Sequence, residues 1–193
     1  VFYVPNAIDI SSFSHDEDRR YKKQIIYAGR LSEEKGILDL LEISGKIPKD
    51  IDLIIVGSGP EESKVKETVK KFSNIHFLGY QSKENTIKLI RGSDILIQPS
   101  LMEGGTSSTL LEAMVCKTPI IATSVDGNKE TIIQMKTAYV VNPKCPLEIL
   151  DALLDLFDNT EKRKNLSENA YELVSNYDWK NIGQKYLEAY HKD

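Results

Sequence analysis

The chain has 193 residues, of which 40% are hydrophobic and 28% charged, and its 29 acidic and 25 basic residues leave a formal charge of -4. That size suits one domain able to bury a core without metal or disulfide staples, and the composition excludes disordered, collagen-like and low-complexity classes. The balance of charge offers no overall field for nucleic acid or an anionic membrane, so any phosphate recognition has to be local.

The start, Val1-Phe2-Tyr3-Val4-Pro5, carries neither Met nor a signal pattern and reads as a chain met midway, with residues 1–23 a polar lead-in and hinge segment and residues 24–193 the domain proper. From there short apolar runs alternate with longer amphipathic ones, the pattern of repeated βα units. Strands are expected at Gln24 to Ala28, Asp52 to Val56, Ile75 to Leu78, Asp94 to Gln98, Pro119 to Ala122 and Ala138 to Val141. Helices are expected between them near Gly36 to Lys46, Pro60 to Phe72, Lys83 to Arg91, Ser107 to Lys117 and Asn128 to Gln134. Three helices close the chain at about Leu147 to Asp158, Glu161 to Asn176 and Trp179 to His191, with Pro60 and Asp178 in positions expected for helix starts. In the last of them Trp179, Ile182, Tyr186 and Tyr190 make an apolar stripe, for which partial exposure is expected.

The strands are apolar on both alternations, so helices should cover both faces of a parallel, doubly wound six-stranded sheet. Its commonest order is 3-2-1-4-5-6, with the ligand site at the carboxyl ends of strands 1 and 4. That topology selects two loops, and both are unusual. The first, Gly29-Arg30-Leu31-Ser32-Glu33-Glu34-Lys35-Gly36, sets two cations and two glycines ahead of a helix. The second, Pro99 through Glu103-Gly104-Gly105-Thr106-Ser107-Ser108-Thr109 to Leu110 and Glu112, is a flexible, hydroxyl-rich opening to a helix. A helix N-terminus presents free N–H groups and positive dipole charge to an anion. With Arg30 and Lys35 adding about 3–6 kcal/mol of charge-assisted contact between them, a diphosphate can be held without a metal. Glu112, the one charge between Ser107 and Cys116, should lean back toward that site, where a ribose diol could satisfy it. Glu103 should be free to accept from hydroxyls of a sugar beyond the diphosphate.

These residues also carry a family resemblance. Val4-Pro5-Asn6, Ala28-Gly29-Arg30-Leu31 with Glu34-Lys35-Gly36, Ile54-Ile55-Val56-Gly57-Ser58-Gly59-Pro60, Phe77-Leu78-Gly79, Pro99 through Glu112-Ala113-Met114, and Thr118-Pro119-Ile120-Ile121-Ala122-Thr123 resemble the C-terminal domain of GT-B retaining glycosyltransferases of the group 1, family 4 type. The resemblance implies a Rossmann-like donor-binding domain acting on a UDP- or GDP-sugar with retention and without a metal or other cofactor. It makes Arg30 and Lys35 the diphosphate pair, Glu112 the ribose carboxylate and Glu103 the carboxylate beside the donor sugar. Arg30, Lys35 and Glu103 are thereby the catalytic candidates, and Gly29, Gly57, Gly104, Gly105, Thr106, Ser107, Ser108, Thr109, Leu110 and Glu112 the donor-binding ones. The partners implied are an N-terminal acceptor-binding domain of the same protein, the nucleotide-sugar donor, and a glycan or lipid-linked acceptor. Eight residues separate Glu103 from Glu112 where the family usually has seven; a glycine loop absorbs an insertion and a helix does not, so the helix is expected to begin at Ser107 or Ser108 unbroken.

Other patterns lead elsewhere or nowhere. Gly57-Ser58-Gly59 lacks the third glycine of a dinucleotide fingerprint, with Glu62 in its place. Asp50-Ile51-Asp52 and Asp16-Glu17-Asp18 imitate a paired-acid metal motif but lie away from the ligand edge. His15, His76 and His191 are scattered, and Cys116 and Cys145 read as reduced, structural thiols, which with the lack of any apolar run of membrane-spanning length points to the cytoplasm, peripheral at the inner membrane face in a full-length protein. A phosphoacceptor signalling domain would need acids where Gly29 and Arg30 stand. A nucleotide-sugar-binding module or epimerase half without transfer activity remains the alternative.

Overall fold

In a computed structural model, residues 5–13, 23–129 and 131–190 are described. Six strands, β1 (Lys23–Ala28), β2 (Ile51–Val56), β3 (Ile75–Gly79), β4 (Ile95–Gln98), β5 (Ile120–Thr123) and β6 (Tyr139–Val141), form one sheet in the order β3-β2-β1-β4-β5-β6. Every pairing is parallel. This is the expected Rossmann-like sheet, with its switch point between β1 and β4.

Alternation along each strand explains why both faces had to be apolar. Ile25, Tyr27, Leu53, Ile55, Ile95, Ile97 and Ile121 point into one core. There they meet Ile37, Leu40 and Ile43 of α1 (Ile37–Ile43), Val65 of α2 (Glu62–Val69), and Ile149, Leu153 and Leu156 of α5 (Pro146–Asp158). Their neighbours Ile26, Ala28, Ile54, Val56, Leu96, Ile120 and Ala122 point the other way. These pack on Ile90 of α3 (Lys83–Arg91), on α4 (Ser108–Val115), and on Ala170 and Val174 of α6 (Thr160–Val174). From Leu110 to Val115, α4 is buried on every side, which is why it carries no amphipathic stripe.

The described part of the lead-in, 5–13, is docked rather than loose. Ile8 bridges to Asp178, its N–H donates to the Tyr177 carbonyl at 2.9 Å, and its own carbonyl accepts from Trp179 N–H at 3.0 Å. Asp178 starts α7 (Trp179–Tyr190) as expected, accepting from Lys180 N–H at 2.9 Å. Along the α7 stripe Ile182 is buried, while Trp179 is 54% exposed and stacks on Tyr186. Leu147 and Thr160 fall within α5 and α6, the latter capped by Asn159 Oδ1. His15, Asp16-Glu17-Asp18 and His191 lie outside the described residues, and Cys116 and Cys145 are free thiols.

Two expected elements need correction. Among the described residues no helix runs from Asn128 to Gln134; a single 3-10 turn, Asp126–Asn128, is present, and residues 131–134 are not helical. There side chains take the hydrogen bonds a helix would use: Thr137 Oγ1 donates to the Thr131 carbonyl and accepts from Ile133 N–H, and Gln134 Oε1 accepts from Val140 N–H. Met135 adopts a positive φ of 55°, which ends any helix. Nor does Pro60 begin α2. It lies two residues ahead of Glu62, in a turn tied down by Glu61 N–H to the Leu31 carbonyl.

Candidate functional site

Three loops leave the carboxyl ends of β1, β2 and β3 and are bonded side by side. Gly29 N–H donates to the Val56 carbonyl, Leu31 N–H to Ser58 and Gly57 N–H to Gly79, at 2.9–3.0 Å. Gly57 sits at φ 136°, and a Cβ there would overlap the Gly29 carbonyl oxygen, so glycine is required for the β1 and β2 loops to touch. Gly36, at φ 68°, plays the same part against the Pro99 carbonyl, pressing the start of α1 onto the loop after β4. Below them the Tyr27 hydroxyl donates to the Arg30 carbonyl at 2.7 Å. Burial, and secondarily the charge of Glu103, push the Tyr27 phenol far above its ordinary range, so it stays a proton donor.

Between the β1 and β4 loops opens a cleft of about 310 Å³. Gly29, Arg30 and Lys35 line one wall, and Glu103, Gly105, Thr106, Ser107, Ser108 and Thr109 the other. A second hollow of about 460 Å³ continues from it over Gly57, Ser58 and Tyr80, sharing Gly29, Arg30 and Thr109. The helix opens as expected: Ser107 is the N-cap, Ser108 the first helical residue, and the helix is unbroken to Val115. The first-turn N–H groups of Ser108, Thr109 and Leu110 have no helical acceptor, and Ser108 and Thr109 line the cleft. The Leu110 side chain itself is buried in the core and lines neither space, so only its backbone can serve a ligand. Gly104 sits beside the cleft without lining it.

Glu103 is not free, and that expectation is corrected. Its carboxylate, 6% exposed, pairs with Lys35 Nζ at 2.6 Å and accepts from Ser100 Oγ at 2.7 Å and Gln98 Nε2 at 3.0 Å. Thus Lys35 is neutralised by Glu103, whereas the exposed Arg30 pairs with no carboxylate among the described residues. The two residues stand 68 positions apart, and nothing in the local sequence advertises the pairing.

Glu112 is buried at 9% exposure, not on the solvent face. It lies one turn beyond Thr109 on α4 and lines neither space itself. Burial lifts its carboxyl above the usual carboxylate range, and the Lys83 ammonium at the start of α3 offsets part of that. Asp50 and Asp52 pair with Lys23 and His76 at the opposite end of the strands, which accounts for both acids and the histidine.

Several residues around the cleft were given no role by the sequence, although Asn6 was among those that carry the family resemblance. Asn6 Nδ2 donates to the Thr106 carbonyl at 2.6 Å. Gln98, read only as the end of an apolar strand, bridges Glu103 and the Ser107 hydroxyl. Asn128 Oδ1 accepts from Ser107 N–H at 3.3 Å. Gly127 lies so close beneath the acidic loop that a Cβ would come within 2.7 Å of the Glu103 and Gly105 carbonyls. The Asp126-Gly127 pair was the one available hint, a turn signal just ahead of the stretch taken as helix.

The family model for glycosyl transferases group 1 matches residues 11–173. The chain belongs to this family. It is 30% identical over 189 residues to an uncharacterized glycosyltransferase of Methanocaldococcus jannaschii, covering 91% of this chain and 48% of that protein. The chain spans about half the length of the curated relatives it matches. Among solved structures it is similar to the C-terminal domain of a glycosyl transferase group 1 family protein, LpcC of Francisella tularensis, with a TM-score of 0.75 and 26% identity over 87% of this chain and 96% of that one. It shares its fold with Anabaena HepE in complex with UDP-glucose, at a TM-score of 0.80, 20% identity, and coverage of 88% of this chain and 49% of that one. The sheet is therefore that of a GT-B glycosyltransferase domain. Among the described residues no helix is long and apolar enough to cross a membrane.

Proposed function

We propose that the chain is the donor-binding half of a retaining, family 4 type glycosyltransferase that uses a UDP- or GDP-sugar and no metal or other cofactor. The observation that carries this reading is the cleft itself: Arg30, paired with no carboxylate among the described residues, faces the N-terminus of α4 across a space at the switch point of the sheet. In this reading Arg30 and the first-turn N–H groups of α4 take the diphosphate. Lys35 joins them by exchanging its carboxylate partner for a phosphate oxygen. Glu103, parted from Lys35 but still held at Oε1 by Gln98 and Ser100, offers its other oxygen to the sugar hydroxyls, and Glu112, which lines neither space as it stands, swings out to accept from the ribose. As the negative charge of the leaving diphosphate grows, Arg30, Lys35 and the helix end stabilise it more than they stabilise the ground state, which is how this half contributes to catalysis.

Residues 1–23 link to an N-terminal domain that binds a glycan or lipid-linked acceptor, and the full-length enzyme works in the cytoplasm, peripheral at the inner membrane face. One wall does not shield a transferring sugar from water, so the chain alone neither transfers nor hydrolyses the donor. The HepE complex supports the donor class, and half-length coverage of the relatives supports the missing domain. Crystals soaked with UDP-glucose or GDP-mannose test the reading. Diphosphate density between Arg30 and Ser108 is expected, and density elsewhere, or donor turnover by the chain alone, contradicts it.

A further inference from the structure

Gln98 ends β4 at the mouth of the cleft and is 6% exposed. Both protons of its amide are used: Nε2 donates to Glu103 Oε1 at 3.0 Å and to Ser107 Oγ at 2.7 Å. The Glu103 carboxylate fixes this orientation, because a flipped amide would set one oxygen against another. Two consequences follow. The Gln98 Oε1 is left buried without a partner among the described residues. And Ser107 Oγ, occupied as an acceptor, keeps its own proton, for which no described residue supplies an acceptor. Ser107 is the N-cap of α4, yet its hydroxyl caps no N–H of the helix. A cap residue that gives up its usual bond, beside an orphaned buried amide oxygen, marks a site built for something outside the chain.

We propose that Gln98 is a positioning residue of the donor site. It holds the Glu103 carboxylate in place and makes the Ser107 hydroxyl a dedicated proton donor into the cleft, toward a phosphate oxygen of the ligand. This rests on the donor-site assignment above, and extends it by giving the cleft a polarity: acceptors on the Glu103 side, donors at the helix end.

The test is calorimetric titration of the unaltered chain, Gln98→Leu and Gln98→Glu with UDP-glucose and GDP-mannose, whose diphosphate diesters keep their charge across the range used. Thermal melts check that each variant folds. Gln98→Leu removes both N–H groups and should weaken binding about tenfold, the loss of one hydrogen bond to a charged ligand. Gln98→Glu should bind poorly at about pH 8, where two carboxylates face each other, and recover relative to the unaltered chain at about pH 5, where the introduced carboxyl carries a proton to donate. A merely structural role predicts no such pH-dependent ratio. Affinity of Gln98→Leu within about twofold of the unaltered chain, or a Gln98→Glu ratio that does not change with pH, overturns the proposal while leaving the donor site standing. Should Gln98→Leu fail to fold, the pH ratio alone decides. Failure of the unaltered chain to bind either sugar nucleotide removes the donor-site assignment, and this proposal with it.

Discussion

Replacing Lys35 by Ala tests how the two loops that flank the cleft are held together. The substitution strands Glu103, whose side chain is 6% exposed, with two remaining hydrogen bonds, from Gln98 and Ser100. Removing one partner of a fully buried pair costs about 3–5 kcal/mol, and of an exposed pair about 0–1 kcal/mol. Lys35 is 33% exposed, so water can reach its place, and the carboxylate keeps its two donors. The cost should therefore fall between those limits, at about 1–3 kcal/mol, or about 2–12 °C in Tm for a domain of this size. Lys35→Ala combined with Glu103→Gln leaves no stranded charge and should regain about 1 kcal/mol or more over Lys35→Ala alone. Urea denaturation of the four proteins in the cycle measures this. If Lys35→Ala matched the unaltered chain, or the two substitutions simply added, the ion pair would not hold the two loops together and the reasoning would fail.

The buried Glu112 should weaken the fold at neutral pH. Its folded pKa is raised, so its contribution to stability is fully present below the unfolded pKa and is lost as pH rises through the folded value. Glu112→Gln imitates the protonated form and should be the more stable protein at pH 7, with the difference closing as the solution is acidified; melts showing a less stable variant, or a pH-independent gap, would refute this. Gly57→Ala must move the Gly29 carbonyl and hold alanine at φ 136°, for a loss of about 2–6 kcal/mol. Urea midpoints unchanged by that substitution would mean that the β1 and β2 loops are not locked as described.

The sheet was legible because burial on both faces leaves its strands continuously apolar, and the switch point followed from topology. The two unusual loops were legible as well, since the switch point named them in advance and they flank one cleft there. What escaped was everything set by tertiary neighbours. The stretch after Asn128 has helical composition, but Thr131, Thr137 and Gln134 spend their side chains on backbone groups and hold it irregular. Glu103 was read as free because its partner Lys35 sits in another loop, and Gln98 was hidden by being the last residue of an apolar strand. Each is a polar side-chain contact, near in sequence for Thr137, Gln134 and Gln98 and remote for Lys35 with Glu103, which hydrophobic periodicity cannot register.

The central claim is that Arg30, Lys35 and the N-terminus of α4 form a diphosphate site. Calorimetric titration of UDP and GDP into the chain and into Arg30→Ala/Lys35→Ala tests it most directly. With a few charged contacts and an open cleft, the unaltered chain should bind one of them with Kd on the order of 0.01–1 mM. The folded double variant should show no measurable heat of binding. Equal affinity in the two proteins would contradict the account.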